Sequence, residues 1–227
     1  MLPLRDSVKA ATYPYVTVSL VVINSVIFLW QLSLANRELA FLFNNFGVVP
    51  ALFTQGGIFF AGIFPSLSLL TAIFLHGSWF HLLGNMLYLW VFGDNVEGKL
   101  GHVGFFVFYL TAGVVGSLAH ILANPASAIP TIGASGSIAG VLGAYMVFFP
   151  RAKVQAFIPL IIIFTVTRIR AIYFLFLWFA IQLLNGLTVL GTGTQAVAWW
   201  AHIGGFMAGA TIGAFFRFWL PEHHDLQ

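Results

Sequence analysis

Two short stretches of this chain hold side chains suited to acyl chemistry. Ser135 lies in G-A-S-G-S-I-A-G, residues 133–140, and His202 lies in A-H-I-G-G-F-M-A-G, residues 201–209. A serine hydroxyl is a weak nucleophile until a base takes its proton, and imidazole has the near-neutral pKa for that task. Attack on an amide also builds an oxyanion, which needs donors aimed at it. His81 and Asn85 are four residues apart and share one face of a helix. With the backbone N–H of Ser135 at a helix start, they are the candidate oxyanion donors. Each residue also has a plainer reading, because a lone intramembrane serine or histidine is usually a packing residue that bonds its own backbone or a neighbouring helix. The case for chemistry rests on their coincidence.

The elements that must position these groups are membrane helices. Of 227 residues, 60% are hydrophobic, 17% aromatic and only 7% charged, against roughly 25% charged in a soluble domain. The fold class expected is an all-α integral membrane protein, one domain over residues 1–227. A helix needs about 20 mostly apolar residues to cross the hydrocarbon, and such stretches fall near 15–35, 78–96, 103–123, 133–150, 170–190 and 198–219. The first is longer than a signal-peptide core. Residues 36–77 are too interrupted by Asn, Gly and Pro to span and too apolar for open water, which predicts an interfacial outer segment. Residues 154–166, short and bracketed by basic residues, predict an inner-face surface segment.

Charge placement orients the bundle. Arg5, Lys9, Lys99, Arg151, Lys153, Arg168, Arg170 and Arg217 fall on one side of a six-span arrangement, and Arg37 alone on the other. Both termini are therefore expected in the cytoplasm. Spans two, four and six then start in the outer half of the membrane, and this puts His81, Asn85, Ser135 and His202 in one layer. His120, near the outer end of span three, joins them. Polar groups at membrane depth are costly and normally face the bundle interior or a water cavity.

Glycine spacing suggests how that layer closes. Gly136 and Gly140 on span four, and Gly205, Gly209 and Gly213 on span six, follow the small-xxx-small pattern that lets helix backbones approach. If the two faces meet, Ser135 and His202 come within reach of each other. No Asp or Glu lies in the layer, so the unit is a Ser-His dyad, leaving aromatic stacking or backbone contacts to hold the ring. Cysteine is absent and H-E-x-x-H is missing; no metal or cofactor is expected, and the scattered charges offer no nucleic-acid surface.

These stretches, with H-G-S-W-F-H-L-L-G-N-M at 76–86, resemble the rhomboid family of intramembrane serine proteases in its compact six-helix form. The resemblance implies Ser135 as nucleophile and His202 as general base. It implies His81 and Asn85 as oxyanion donors, His76 as a polar residue lining the cavity, and Gly133 and Gly136 as glycines flanking the nucleophile. Glu97 matches an acidic residue at the inner end of span two and is expected to be structural. Two positions depart from the family pattern: Leu67-Ser68 stand where Trp-Arg is frequent, and Ala139 stands where some members stack a Tyr on the base.

The resemblance further implies cleavage of single-span and other transmembrane proteins near the outer surface of the cell membrane, with lipid and these substrates as partners. Span five, with Phe174, Phe176, Trp178 and Phe179, is a candidate movable wall, and the glycine-rich loop 186–196 a candidate cap. Two other classes stay open: an inactive rhomboid-like factor that binds membrane proteins without cutting them, and a channel or transporter. Clustering of polar groups in one half of the membrane disfavours a pathway.

Overall fold

The computed structural model describes residues 2–54, 65–160, 163–190 and 197–219. Residues 55–64 of the outer segment and 191–196 of the candidate cap lie outside the described residues. A strand, β1 (Leu2–Asp6), precedes α1 (Tyr15–Gln31). The outer segment holds α2 (Asn36–Phe46), α3 (Pro50–Thr54), α4 (Pro65–Thr71) and a 3-10 turn at Ala72–Phe74. Then come α5 (Trp79–Leu100), α6 (His102–Ala123), α7 (Ser135–Phe148), β2 (Lys153–Leu160), β3 (Ile163–Arg170), α8 (Ala171–Thr188) and α9 (Trp199–Trp219).

Six of these helices, α1 and α5 to α9, fall on the six apolar stretches. Helices α6 and α8 are by themselves long and apolar enough to cross a membrane, while α1 and α7 are apolar but shorter. Residues Pro65–Phe74 and Trp79–Leu100 meet that length and composition only as a pair, bent by 81°. The bend is made where Ser78, extended in backbone, accepts a hydrogen bond from the His81 N–H at 3.2 Å and so caps α5. At the other end of α5, Gly101 at φ 70° turns the chain into α6 in a single residue.

The all-α expectation needs one correction. Strands β1, β2 and β3 form an antiparallel sheet in that order, with Leu2 opposite Phe157 and Lys153 opposite Arg170. The predicted inner-face segment is a β-hairpin. Its β-branched residues suit a pleated strand, and Pro159 would break a helix there. Asp6 ties the sheet to the bundle: its carboxylate accepts from Asn95 Nδ2 at 2.9 Å and from the Tyr145 hydroxyl. Burial raises its pKa, partly offset by the bond from Tyr145.

Helix α7 is the axis of the core, buried along nearly its whole length, with Leu89, Phe92, Tyr109 and Phe174 among the apolar residues packed around it. Close backbone approach makes this possible. A Cβ placed on Gly205 would lie 2.0 Å from the carbonyl oxygen of Gly136, and one on Gly209 would lie 1.9 Å from that of Gly140. The pairs advance together along both chains, so α7 and α9 run parallel. The glycine faces identified in the sequence do meet.

Glu97 is fully buried and accepts from the backbone N–H groups of Val16 and Thr17 at 2.9 and 2.7 Å, and from the Thr17 hydroxyl at 2.7 Å. It also lies 2.6 Å from His102 Nδ1. The carboxylate thereby caps the first turn of α1, whose own N-cap residue, Pro14, makes no side-chain bond. Glu97→Leu strands these donors in an apolar site and is expected to destabilise the fold by about 2–4 kcal/mol, with Glu97→Gln intermediate. Thermal unfolding in detergent measures this; a Glu97→Leu midpoint equal to wild type would exclude the capping role.

Candidate active site

Helices α5, α7 and α9 bring the site together with their first turns. His81 is the third residue of α5, Ser135 the first of α7 and His202 the fourth of α9. Contacts of Asn85 and His81 with Gly133 at one end, and of Phe92 with Tyr145 at the other, show that α5 also runs parallel to α7. Three positive helix ends therefore point toward one place, a favourable field for developing negative charge.

His202 Nε2 lies 2.8 Å from Ser135 Oγ across 67 positions of sequence. Both line a cavity of about 970 Å³, as do His81, Asn85 and His120. The predicted polar layer is thus one cavity wall. Residues 123–132, which connect α6 to α7, form another part of it. They are tied down by a bridge between Val48 and Thr131 and by the Gly133 N–H, which donates to the Ala72 carbonyl at 2.8 Å. The outer segment therefore acts as a frame for the loop that delivers Ser135.

His76 lies behind this wall rather than in it. It is 1% exposed and is absent from the cavity lining. Gln31 clamps its backbone, with Nε2 donating to the His76 carbonyl at 2.9 Å and Oε1 accepting from its N–H at 3.1 Å. The side chain meets Asn85, whose Nδ2 is 3.0 Å from His76 Nε2, and sets its ring edge-on to His81. His76 supports the two oxyanion candidates from beneath.

Gly133 has φ 122°, a conformation that side-chain-bearing residues rarely adopt, and a Cβ there would lie 2.6 Å from the His81 ring. For the protease that the sequence resemblance implies, Gly133→Ala is expected to push His81 from its place and lower kcat by about 10-fold or more, with a smaller effect on KM. Unaltered kcat in a steady-state cleavage assay would show that His81 has room to spare. Ser137, the other serine of the stretch, is buried, with its Oγ against Gly113 of α6; it packs.

Gln182, which nothing in the sequence motifs singles out, also belongs to the site. This residue of α8 is 6% exposed, and its Oε1 lies 2.8 Å from His202 Nδ1. The Trp178 ring, one turn earlier, lies 5.9 Å from the His202 ring at 36°, and Trp199 meets the imidazole edge-on at 6.1 Å. Aromatic support for His202 therefore comes from α8 and α9, while the Ala139 position is filled by core packing. The signal was present: Ala171, Leu175, Trp178, Gln182 and Gly186 follow helical spacing on one face, and a glutamine in such a stripe is a polar group turned inward. Of the four aromatics expected in a movable wall, Phe174 is buried and Phe176 exposed, and Phe179 stacks on Phe206 at 4.7 Å.

The family model of the Rhomboid domain matches residues 65–218. The mitochondrial Rhomboid protein 1 of Saccharomyces cerevisiae is 38% identical over 96 residues, which is 40% of this chain and 28% of that protein. Rhomboid protease GluP of Bacillus subtilis is 45% identical over 78 residues, 34% of this chain and 15% of that protein. The human mitochondrial presenilin-associated rhomboid-like protein is 30% identical over 149 residues, 62% of this chain and 35% of that protein. The chain thus spans between 15 and 35% of the length of these relatives.

Proposed function

Because the chain belongs to the rhomboid family of membrane-embedded proteins, we propose that it is an intramembrane serine endopeptidase that cleaves transmembrane segments of other proteins by a Ser135–His202 dyad. The observation that carries this reading is the 2.8 Å contact of Ser135 Oγ with His202 Nε2 in the wall of a polar cavity. Ser135 Oγ bonds to the scissile carbonyl carbon as its proton passes to His202 Nε2. The oxyanion meets the Ser135 backbone N–H, His81 and Asn85. His202 then returns the proton to the leaving amine, and a water from the cavity hydrolyses the acyl-enzyme by the same route in reverse.

In this reading the six apolar helices cross the cell membrane with both termini in the cytoplasm, as the basic residues direct. The short α7 fits such a site. Its 14 residues extend about 21 Å at 1.5 Å per residue, less than the roughly 30 Å hydrocarbon core. Anchored at the inner face, it leaves Ser135 below the outer surface. The substrate enters sideways from the lipid and unwinds locally, because an intact helix keeps its carbonyls in backbone bonds. Cuts are expected after small residues near Gly, Ser or Pro.

The test is cleavage of a single-span substrate by purified protein in detergent and in liposomes, together with covalent labelling by a fluorophosphonate. Wild type should cut and be labelled at Ser135, and Ser135→Ala should do neither. Equal cleavage by Ser135→Ala would overturn the proposal.

A further inference from the structure

We infer that Gln182 on α8 is a positioning residue for the proteolytic reaction: its side-chain oxygen holds the Nδ1–H of His202 and so leaves the Nε2 lone pair facing Ser135. This rests on the serine-protease reading above and explains how the base is oriented with no acidic residue beside it among the described residues.

The assignment follows from a chain of hydrogen bonds that begins at a group with one possible role. The Trp178 carbonyl can only accept, and Gln182 Nε2 lies 3.3 Å from it. That contact sets the amide with its nitrogen toward Trp178 and its oxygen toward His202. The oxygen can only accept, so the His202 nitrogen 2.8 Å away, Nδ1, carries the proton. A neutral imidazole has one N–H, so Nε2 holds the lone pair, and it lies 2.8 Å from Ser135 Oγ. The serine hydroxyl therefore donates to the base, the arrangement that nucleophilic attack requires.

The surroundings hold the relay in place. Gln182 is almost completely buried, and Trp178 stacks both toward His202 and on Phe206 at 6.1 Å. Glutamine is also a suitable orienter in an apolar site. A carboxylate there would carry a buried charge through every step in which imidazole is neutral. The amide stays neutral throughout: Nδ1 keeps its proton and its bond to Oε1 when Nε2 gains the serine proton, and Gln182 itself takes up none.

The nucleophile and the base come from the tightly packed α7 and α9, whereas the orienting group comes from α8, a helix with a broad exposed face that includes Tyr173, Phe176 and Leu184. The dyad is therefore correctly poised only while α8 is seated against α9.

Gln182→Leu and Gln182→Glu are to be compared with wild type and Ser135→Ala in the full chain in detergent. The readouts are kcat and KM for a single-span substrate across the pH range and the rate of fluorophosphonate acylation. Gln182→Leu should lower kcat and the acylation rate together by about 10- to 100-fold, with KM within about twofold, because it removes the orienter and leaves the cavity intact. Gln182→Glu keeps the acceptor and adds a negative charge. It should restore most of the plateau activity and move the acid limb of the kcat profile up by about one pH unit or more, since a nearby carboxylate favours the charged imidazolium. His81 and His120, the other titratable groups of the cavity wall among the described residues, are the same in every variant, so the movement reports on His202 coupled to the new carboxyl.

Wild-type kcat in Gln182→Leu, or an unmoved acid limb in Gln182→Glu, would overturn the inference. If Gln182→Leu does not fold, the Gln182→Glu profile decides alone. A different result sinks the underlying reading: if Ser135→Ala cleaves as well as wild type, the protease assignment fails first. If Ser135→Ala is inactive while both Gln182 variants match wild type, only the positioning role fails.

Discussion

Ser135→Ala is expected to lower kcat by about 10⁴-fold or more, leaving KM and thermal stability close to wild type. The side chain removed is one hydroxyl, bonded to His202 at 2.8 Å. Loss of that single bond costs about 1 kcal/mol of stability. In the proposed mechanism, loss of the nucleophile removes the covalent route altogether. Substrate recognition should persist, because the cavity wall and the donors His81 and Asn85 stay in place. His202→Ala should fall to a similar level, since a serine without a base is as ineffective as a base without a serine. The double variant should be no worse than either single one, the non-additivity expected of groups that act as a unit. Steady-state cleavage beside thermal unfolding measures all three. Additive losses would mean that the two residues serve separate steps.

Gly209→Leu is expected to have the largest effect on the fold. Its first side-chain carbon would lie 1.9 Å from the Gly140 carbonyl oxygen and 2.6 Å from the Gly140 Cα, all of it backbone. Side-chain obstacles can change rotamer, but a helix backbone cannot give way without moving as a whole. Overpacking usually costs 1–3 kcal/mol, and this case belongs at about 3 kcal/mol or above. Helix α9 would be pushed off α7, and the contact between His202 and Ser135 would open with it. Gly209→Ala should show a weaker form of the same defect. Gly84→Ala is the matched control: that glycine also lies within a helix, but its Cβ would meet nothing within 4 Å, and alanine there is expected to be neutral or stabilising by up to about 1 kcal/mol. Size-exclusion behaviour and unfolding midpoints in detergent test the contrast. Equal midpoints for Gly209→Leu and Gly84→Ala would show that the α7–α9 contact is not what holds the bundle.

Ser135→Ala is thus expected to remove chemistry and spare the fold, whereas Gly209→Leu should remove the fold and chemistry with it. Gln182 stands between these cases. It is almost completely buried and does not line the cavity, so its effect is expected on the rate and its pH dependence rather than on binding.

The sequence by itself determined where the apolar helices run, because hydropathy is a local property and each helix carries its own. Spacing on a single helix was equally legible, as with His81 and Asn85 on α5 or the glycine faces of α7 and α9. The tertiary structure decided which faces meet. Ser135 and His202 are 67 residues apart, and only the backbone contact of Gly136 with Gly205 brings them to one level. It also decided the partners of polar groups: Gln182 for His202, the α1 N-terminus for Glu97, and Asn85 for the buried His76. The β1–β2–β3 sheet lay beyond local reading too, because strand pairing between Leu2–Asp6 and Lys153–Leu160 joins segments separated in sequence by helices α1 to α7. Periodicity shows that a residue turns inward, and packing alone sets what it finds there.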